Sequence, residues 1–124
     1  MTIQRKHGQW GEDLAVDFLI SAGYTIASRN WRYKRAEIDI IARDGDILVF
    51  VEVKARASTD FGRPEAMVGK RKQRFMIDAA MAYMYASGHE WEIRFDIIAI
   101  IGEPDKNMEL VHFQDAFFPG IDYH

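Results

Sequence analysis

Asp39, Glu52 and Lys54 lie on two neighbouring runs that alternate like β-strands, an unusual place for charge. The runs, about Glu37 to Arg43 and Ile47 to Arg56, are rich in Ile and Val, and Asp44-Gly45 between them is a strong hairpin signal. Side chains alternate along a strand, so Leu48, Phe50, Glu52, Lys54 and Arg56 share one face of the second run. Ile47, Val49, Val51 and Val53 share the other. Apolar residues on both faces mark a central, covered strand, and a charged pair there needs a partner or a job. With Asp44-Gly45 as a two-residue turn, Asp39 lies opposite Phe50, and Glu37 lies opposite Glu52. Directly paired residues point to the same face. Glu37, Asp39, Glu52 and Lys54 should therefore project together, with Ile38 and Ile40 turned to the face of Val49 and Val51.

For one acid and one base the ordinary explanation is a cross-strand salt bridge, such as Glu52 with Lys54 or Arg56. Here one lysine faces up to four carboxylates once Glu12 is added. That residue sits in the apolar arc of the first helix, beside Ala15, Val16 and Leu19. Close carboxylates raise one another's pKa, and an unpaired buried charge costs on the order of several kcal/mol. A divalent cation resolves the conflict, because Mg²⁺ binds one or two carboxylates together with water and phosphate oxygens. Such an ion makes a nucleophile from water near neutral pH and polarises phosphoryl oxygens. The protein is left with positioning and electrostatics.

Basic residues stand near this set in sequence. Arg29, Arg32, Lys34 and Arg35 surround Trp31 and Tyr33, Arg56 follows Lys54, and Lys70, Arg71, Lys72 and Arg74 form a further cluster. Basic side chains supply phosphate contacts, and exposed aromatics stack on unpaired bases. The alternatives are a solvated charged face and aromatics that belong to the core. The net charge of −3 hides a basic first part, +4 over residues 1–74, and an acidic remainder, −7. A basic half can face a polyanion in a protein that is acidic overall.

The elements that must position these residues are few. A helix is expected from about Gly8 to Ala22, ended by Gly23. A strand at about Tyr24–Trp31 precedes the hairpin. A long helix is expected from about Pro64 to Ser87, then a strand at Trp91–Ile101 and a short one at Glu109–Phe113. No repeat or linker divides the 124 residues, so the expectation is one α/β domain: helix, three strands, helix, strand, with a mixed sheet flanked by helices. With no cysteine, thiolate metal sites, disulfides and cysteine nucleophiles are excluded. The longest apolar runs, of five residues, are too short to span a bilayer, and no signal-peptide pattern opens the chain, so the expected location is the cytoplasm with no membrane partner. His7, His89, His112 and His124 show no ligand spacing. Asp96 is expected to pair with a basic neighbour. Phe113, Phe117, Phe118 and Ile121 could cover the core or an interface, and a homodimer is left open.

The segment Glu37-Ile38-Asp39, the hairpin and Glu52-Val53-Lys54 together resemble the PD-(D/E)XK nuclease signature, with the first half reduced to Asp39 after Ile38. The resemblance extends to the YraN-like family of uncharacterised bacterial proteins, similar to archaeal Holliday-junction resolvases. It rests on Gly8–Ala15, Gly23-Tyr24, Arg29-Asn30-Trp31, Glu37–Ala42, Val49–Arg56, Lys72-Gln73-Arg74 and Arg94-Phe95-Asp96. Ala36 departs from it, where that family usually has glycine. The resemblance implies a restriction-endonuclease-like core and an Mg²⁺- or Mn²⁺-dependent endonuclease acting on nucleic acid, DNA first and branched or structured DNA among the candidates. It makes Asp39 and Glu52 metal ligands, the Val53 carbonyl a third, Glu12 a helix-borne acid completing the shell, and Lys54 the cation that orients water or steadies phosphate charge. Glu37 is either an outer-sphere base or a structural partner of Arg35 or Arg56. The rival readings are a non-catalytic nucleic-acid-binding module on the same scaffold and an RNA-directed enzyme.

Overall fold

The computed structural model describes residues 3–56, 66–102 and 106–117, with side chains from Gln9 onward. Helix α1 (Ile3–Ser21) leads into strands β1 (Thr25–Tyr33), β2 (Ala36–Asp44) and β3 (Ile47–Arg56). Helix α2 (Lys70–Ser87) then crosses to β4 (Ile93–Gly102), and β5 (Met108–Phe113) closes the sheet. Spatial order follows chain order. β1–β2, β2–β3 and β4–β5 are antiparallel, whereas β3–β4, joined through α2, is parallel. This is the expected single α/β domain with a mixed sheet between helices. No helix among the described residues is long and apolar enough to cross a membrane.

The helix ends have local causes. At α1 the Tyr24 N–H donates to the Leu19 carbonyl and the Gly23 N–H to that of Ile20, with Gly23 at φ +96°. This double bond pattern needs a left-handed residue after the helix, and glycine takes that conformation without a Cβ penalty. Helix α2 begins at Lys70 rather than at Pro64. Gly69 before it is extended, and Met67 and Val68 are buried in the core beneath the helix instead of forming its first turn. Pro64 itself lies outside the described residues.

Each sheet face is covered by one helix. Ala15 and Leu19 of α1 pack on Ile40, Ala42, Val49, Val51, Ile98 and Ile100. Met76, Ala79 and Ala80 of α2 pack on Ile38, Ile41, Leu48, Phe50, Phe95 and Ile97. Phe117 joins this second core and Phe113 packs against it, while Phe118 and Ile121 lie outside the described residues. The two cores meet at β3 and β4, whose middle residues are fully buried.

The hairpin differs from the expected register by two residues. Asp44 pairs with Ile47, and Gly45-Asp46 forms the turn, with Gly45 at φ +61° in the first central position, where a type II′ turn wants glycine. Trp91 pins the turn by donating from Nε1 to the Asp46 carbonyl at 2.6 Å. A two-residue shift keeps side-chain parity, and it carries Asp39 level with Glu52 instead of Phe50. The other difference lies at Ile38. Ile40 faces the α1 side with Val49 and Val51, as expected, but Ile38 joins the α2 core with Leu48 and Phe50. Regular alternation therefore fails at Asp39, where the β2–β3 ladder also stops, its last pair being Ile40 with Val51.

Candidate functional site

Where β2 and β3 part, the Val53 N–H loses its main-chain partner on β2. Asp39 replaces that partner, with Oδ2 accepting from the Val53 N–H at 2.8 Å. The aspartate is thus fixed by the end of the ladder. Beyond it the Asp39 and Glu52 carboxyls face each other, and Glu52 is only 3% exposed. Burial, then the contact with Glu52 and its charge, hold the Asp39 carboxyl far above the ordinary carboxylate range.

Two lysines stand against this pair. Lys54, next on the same face of β3, is half-buried, and burial lowers its pKa, with Lys72 and Arg56 acting in the same direction. Lys72 comes from the first turn of α2, and its Nζ lies 2.5 Å from Glu52 Oε2. Although burial opposes it, contact with Glu52 raises the Lys72 pKa. Lys72 was expected among phosphate contacts at the rim; it reaches inward to the acid instead. One signal was present: Lys72 precedes the core residue Met76 by four positions and so lies on the inward face of the helix.

Glu12 approaches from α1, whose Gly11 lies over Val53 and Ile100. Its Oε1 is buried with no hydrogen-bond partner among the described residues. Burial raises its pKa against the pull of Arg29, and Glu37 adds to the rise. Asn30, at φ +52°, hydrogen-bonds to its side chain. Glu37 itself pairs with Arg32 across the strands at 3.1 Å, so its partner is neither Arg35 nor Arg56. The structure therefore joins Asp39, Glu52, Lys54 and Lys72, with Glu12 and Glu37 on the margin.

Among the described residues no three His, Asp or Glu side chains converge on one point that would hold an ion. The donor set is two hard carboxylates in contact, with an orphaned glutamate oxygen nearby. It fits Mg²⁺ or Mn²⁺, which accept as few as one or two carboxylates and take the rest of their shell from water and phosphate.

The basic residues divide. Arg29 pairs with Asp13 of α1 at 2.7 Å. The Lys34 ammonium lies 5.3 Å from the centre of the Tyr33 ring, and the Arg71 guanidinium 5.6 Å from that of Phe75. Arg35 lines a groove beside α2 with Lys34. Lys70, Arg71 and Arg74 are exposed on α2, and Arg56, exposed at the end of β3, donates to the Ala55 carbonyl. Trp31 and Tyr33 are half-buried against the α2 core. Asp96 is a separate centre: fully buried, it accepts from Arg94, from the Asp115 N–H and is bonded to His112. Arg94 reaches on to Asp44 and the Tyr24 hydroxyl. That aspartate is structural, as expected of its basic neighbour.

Sequence comparison places this geometry in a family. Residues 11–100 match the profile of the Uncharacterised protein family UPF0102, and the chain belongs to it. The UPF0102 protein of Flavobacterium psychrophilum is 47% identical over 111 residues, covering 90% of this chain and 92% of that one. Its counterpart in Thermodesulfovibrio yellowstonii is 44% identical over 111 residues, covering 90% and 95%. That of Rhodococcus jostii is 42% identical over 111 residues, covering 89% and 94%.

Proposed function

We propose that this protein is a metal-dependent nuclease of the PD-(D/E)XK type, hydrolysing phosphodiester bonds in nucleic acid, DNA before RNA. The observation that carries the reading is an acid pair at the parting of β2 and β3. Asp39 is fixed by the Val53 amide and lies close enough to the buried Glu52 that this neighbour, after burial itself, raises its pKa, with Lys72 on Glu52 and Lys54 beside it. Asp39 and Glu52 would hold Mg²⁺ or Mn²⁺, with the Val53 carbonyl as a further ligand and Glu12 at one side. The bound ion would lower the pKa of water and neutralise charge on the phosphate. The Val53 amide orients Asp39 for this role, and a bound ion would favour its ionised form. Lys54 holds the attacking water or a phosphate oxygen. Lys72, once released from Glu52, takes the place of a second phosphate contact. The exposed Lys70, Arg71 and Arg74 supply sequence-independent attraction to the backbone.

The test is incubation with linear, single-stranded and four-way-junction DNA in Mn²⁺ or EDTA, beside Glu52→Gln. Cleavage is expected only with metal and only with Glu52 intact. If calorimetry finds neither Mg²⁺ nor Mn²⁺ binding and no substrate is cut, the catalytic reading falls and a nucleic-acid-binding module remains.

A further inference from the structure

A groove of about 920 Å³ runs between the β1–β2 turn and α2, away from the acid pair. One wall carries Trp31, Tyr33, Lys34 and Arg35; the other carries Phe75 and Tyr85. The Trp31 and Tyr33 rings are almost parallel, at 5°, with centroids 6.3 Å apart, and Tyr83 braces Trp31 edge-on from the core. Tyr85 is 92% exposed, and Met81, also lining the groove, is 59% exposed. A second hollow of about 440 Å³ shares Arg35, Ala36 and Phe75 with the first and is also lined by Arg71 and Lys72. Lys72 is the residue that touches Glu52. The two hollows adjoin through those three shared residues, and Lys72 in the lining of the second is the link to the acid pair.

We propose that these adjoining hollows take an unpaired nucleic-acid strand continuing from the scissile phosphate. This inference rests on the nuclease reading and adds a substrate class to it: nucleic acid with a single-stranded segment next to the cleaved bond. The wall chemistry selects the occupant. Lys34, Arg35 and Arg71 offer cations along the hollows, against Asp78 and the already paired Glu37. Lys34 and Arg71 lie against the Tyr33 and Phe75 rings and Tyr85 stands exposed beside them. Cations interleaved with aromatic rings are the combination that single strands use, phosphates on the charges and bases on the rings. A duplex keeps its bases stacked in its interior and would leave the rings unused. A second copy is disfavoured as occupant, because two-fold pairing would set Lys34, Arg35 and Arg71 against their own equivalents.

The test is anisotropy titration of the whole protein in EDTA with a short single strand, a blunt duplex and a duplex bearing an overhang, all of one sequence. Single strand and overhang should bind about tenfold tighter than the blunt duplex. Tyr85→Ala, almost fully exposed and so without effect on folding, should weaken single-strand binding about fivefold or more and leave the duplex unchanged. Tyr33→Leu should act in the same direction. Equal affinity for strand and duplex, or equal weakening of both by Tyr85→Ala, would overturn the inference. If the blunt duplex then still binds and Mn²⁺ still enters the acid pair, the nuclease reading survives that result. If sedimentation instead finds a dimer that Tyr85→Ala dissociates, the groove is a self-interface and the inference is wrong.

Discussion

Lys72→Met offers the most direct test of how the acid pair works, because Lys72 stands where a cation would act. Its Nζ lies 2.5 Å from Glu52 Oε2, with Glu52 3% exposed and the lysine 46% exposed. Removing one member of a fully buried pair costs about 3–5 kcal/mol, and removing one from an exposed pair costs about 1 kcal/mol or less. A half-exposed lysine on a buried carboxylate falls between, at roughly 1–2 kcal/mol. Metal-free Lys72→Met should therefore melt several degrees below wild type in differential scanning calorimetry. Under the proposed reading the same free energy would oppose metal entry in the wild type, since an incoming ion would displace Lys72 from Glu52. Lys72→Met should then bind Mn²⁺ about five- to thirtyfold more tightly in titration calorimetry, and saturating Mn²⁺ should remove its stability deficit. Cleavage should fall all the same, because a phosphate contact has gone. Unchanged or weaker Mn²⁺ binding in Lys72→Met would refute the competition and leave the contact a plain salt bridge.

The other predictions concern protons, catalysis and the scaffold. Folding raises the Asp39 pKa, so its contribution to metal-free stability is full below the ordinary carboxylate range and is lost as pH climbs through the raised value. Metal entry at neutral pH should release about one proton, and Mn²⁺ affinity should rise about tenfold per pH unit until Asp39 ionises; titration in buffers of different ionisation enthalpy counts that proton, and Asp39→Asn abolishes it. Lys54→Ala should keep Mn²⁺ binding by calorimetry while cleavage in a gel assay falls about a hundredfold or more. Asp96→Asn should destabilise by about 3 kcal/mol in urea, because Arg94 loses its buried countercharge, with no change in Mn²⁺ affinity.

Parity was the property most legible in the residues. It puts Glu52 and Lys54 on one face of β3, and it survives the two-residue error in register because that error is even. The bounds of β3, Ile47–Arg56, also follow from its unbroken apolar alternation. What alternation cannot express is its own interruption. Ile38 and Ile40 are chemically identical, and only the parting of β2 from β3 decides that they enter different cores. Composition likewise announces a turn at Asp44-Gly45-Asp46, but whether Gly45 is its first or second central residue depends on contacts such as Trp91 with Asp46. Lys72 lies four residues before the buried Met76, so helical periodicity alone puts it on the face that meets the sheet; counting it with the exposed Lys70, Arg71 and Arg74 hid that. The ion pairs of Arg29 with Asp13 and of Arg32 with Glu37 were not readable from the residues alone.

Asp96 and Asp39 provide an internal comparison that bears on whether the acid pair is structural. Both are acids on inner strands of one sheet, Asp96 fully buried and Asp39 partly so. Asp96 has the full set of partners that a structural carboxylate requires: Arg94 donates to each oxygen, His112 is bonded to Oδ2 and the Asp115 amide donates to Oδ1. Despite desolvation, those contacts hold it below its ordinary pKa. Asp39 receives one backbone amide and then meets another carboxyl, so it is held above its ordinary range. The nearby lysine on its own face has its charged form disfavoured by burial, and the other cation, Lys72, is half in solvent. The fold can satisfy a buried aspartate, as it does at Asp96, and at Asp39 it leaves the demand for positive charge unmet. A salt-bridge account predicts two satisfied acids; under the proposed metal reading, the cation would supply what Asp39 lacks. Exchanging the two outcomes is the decisive measurement: Asp39→Asn should leave metal-free stability equal or higher, while Asp96→Asn lowers it. If both substitutions destabilise alike, Asp39 is as structural as Asp96 and the metal site does not exist.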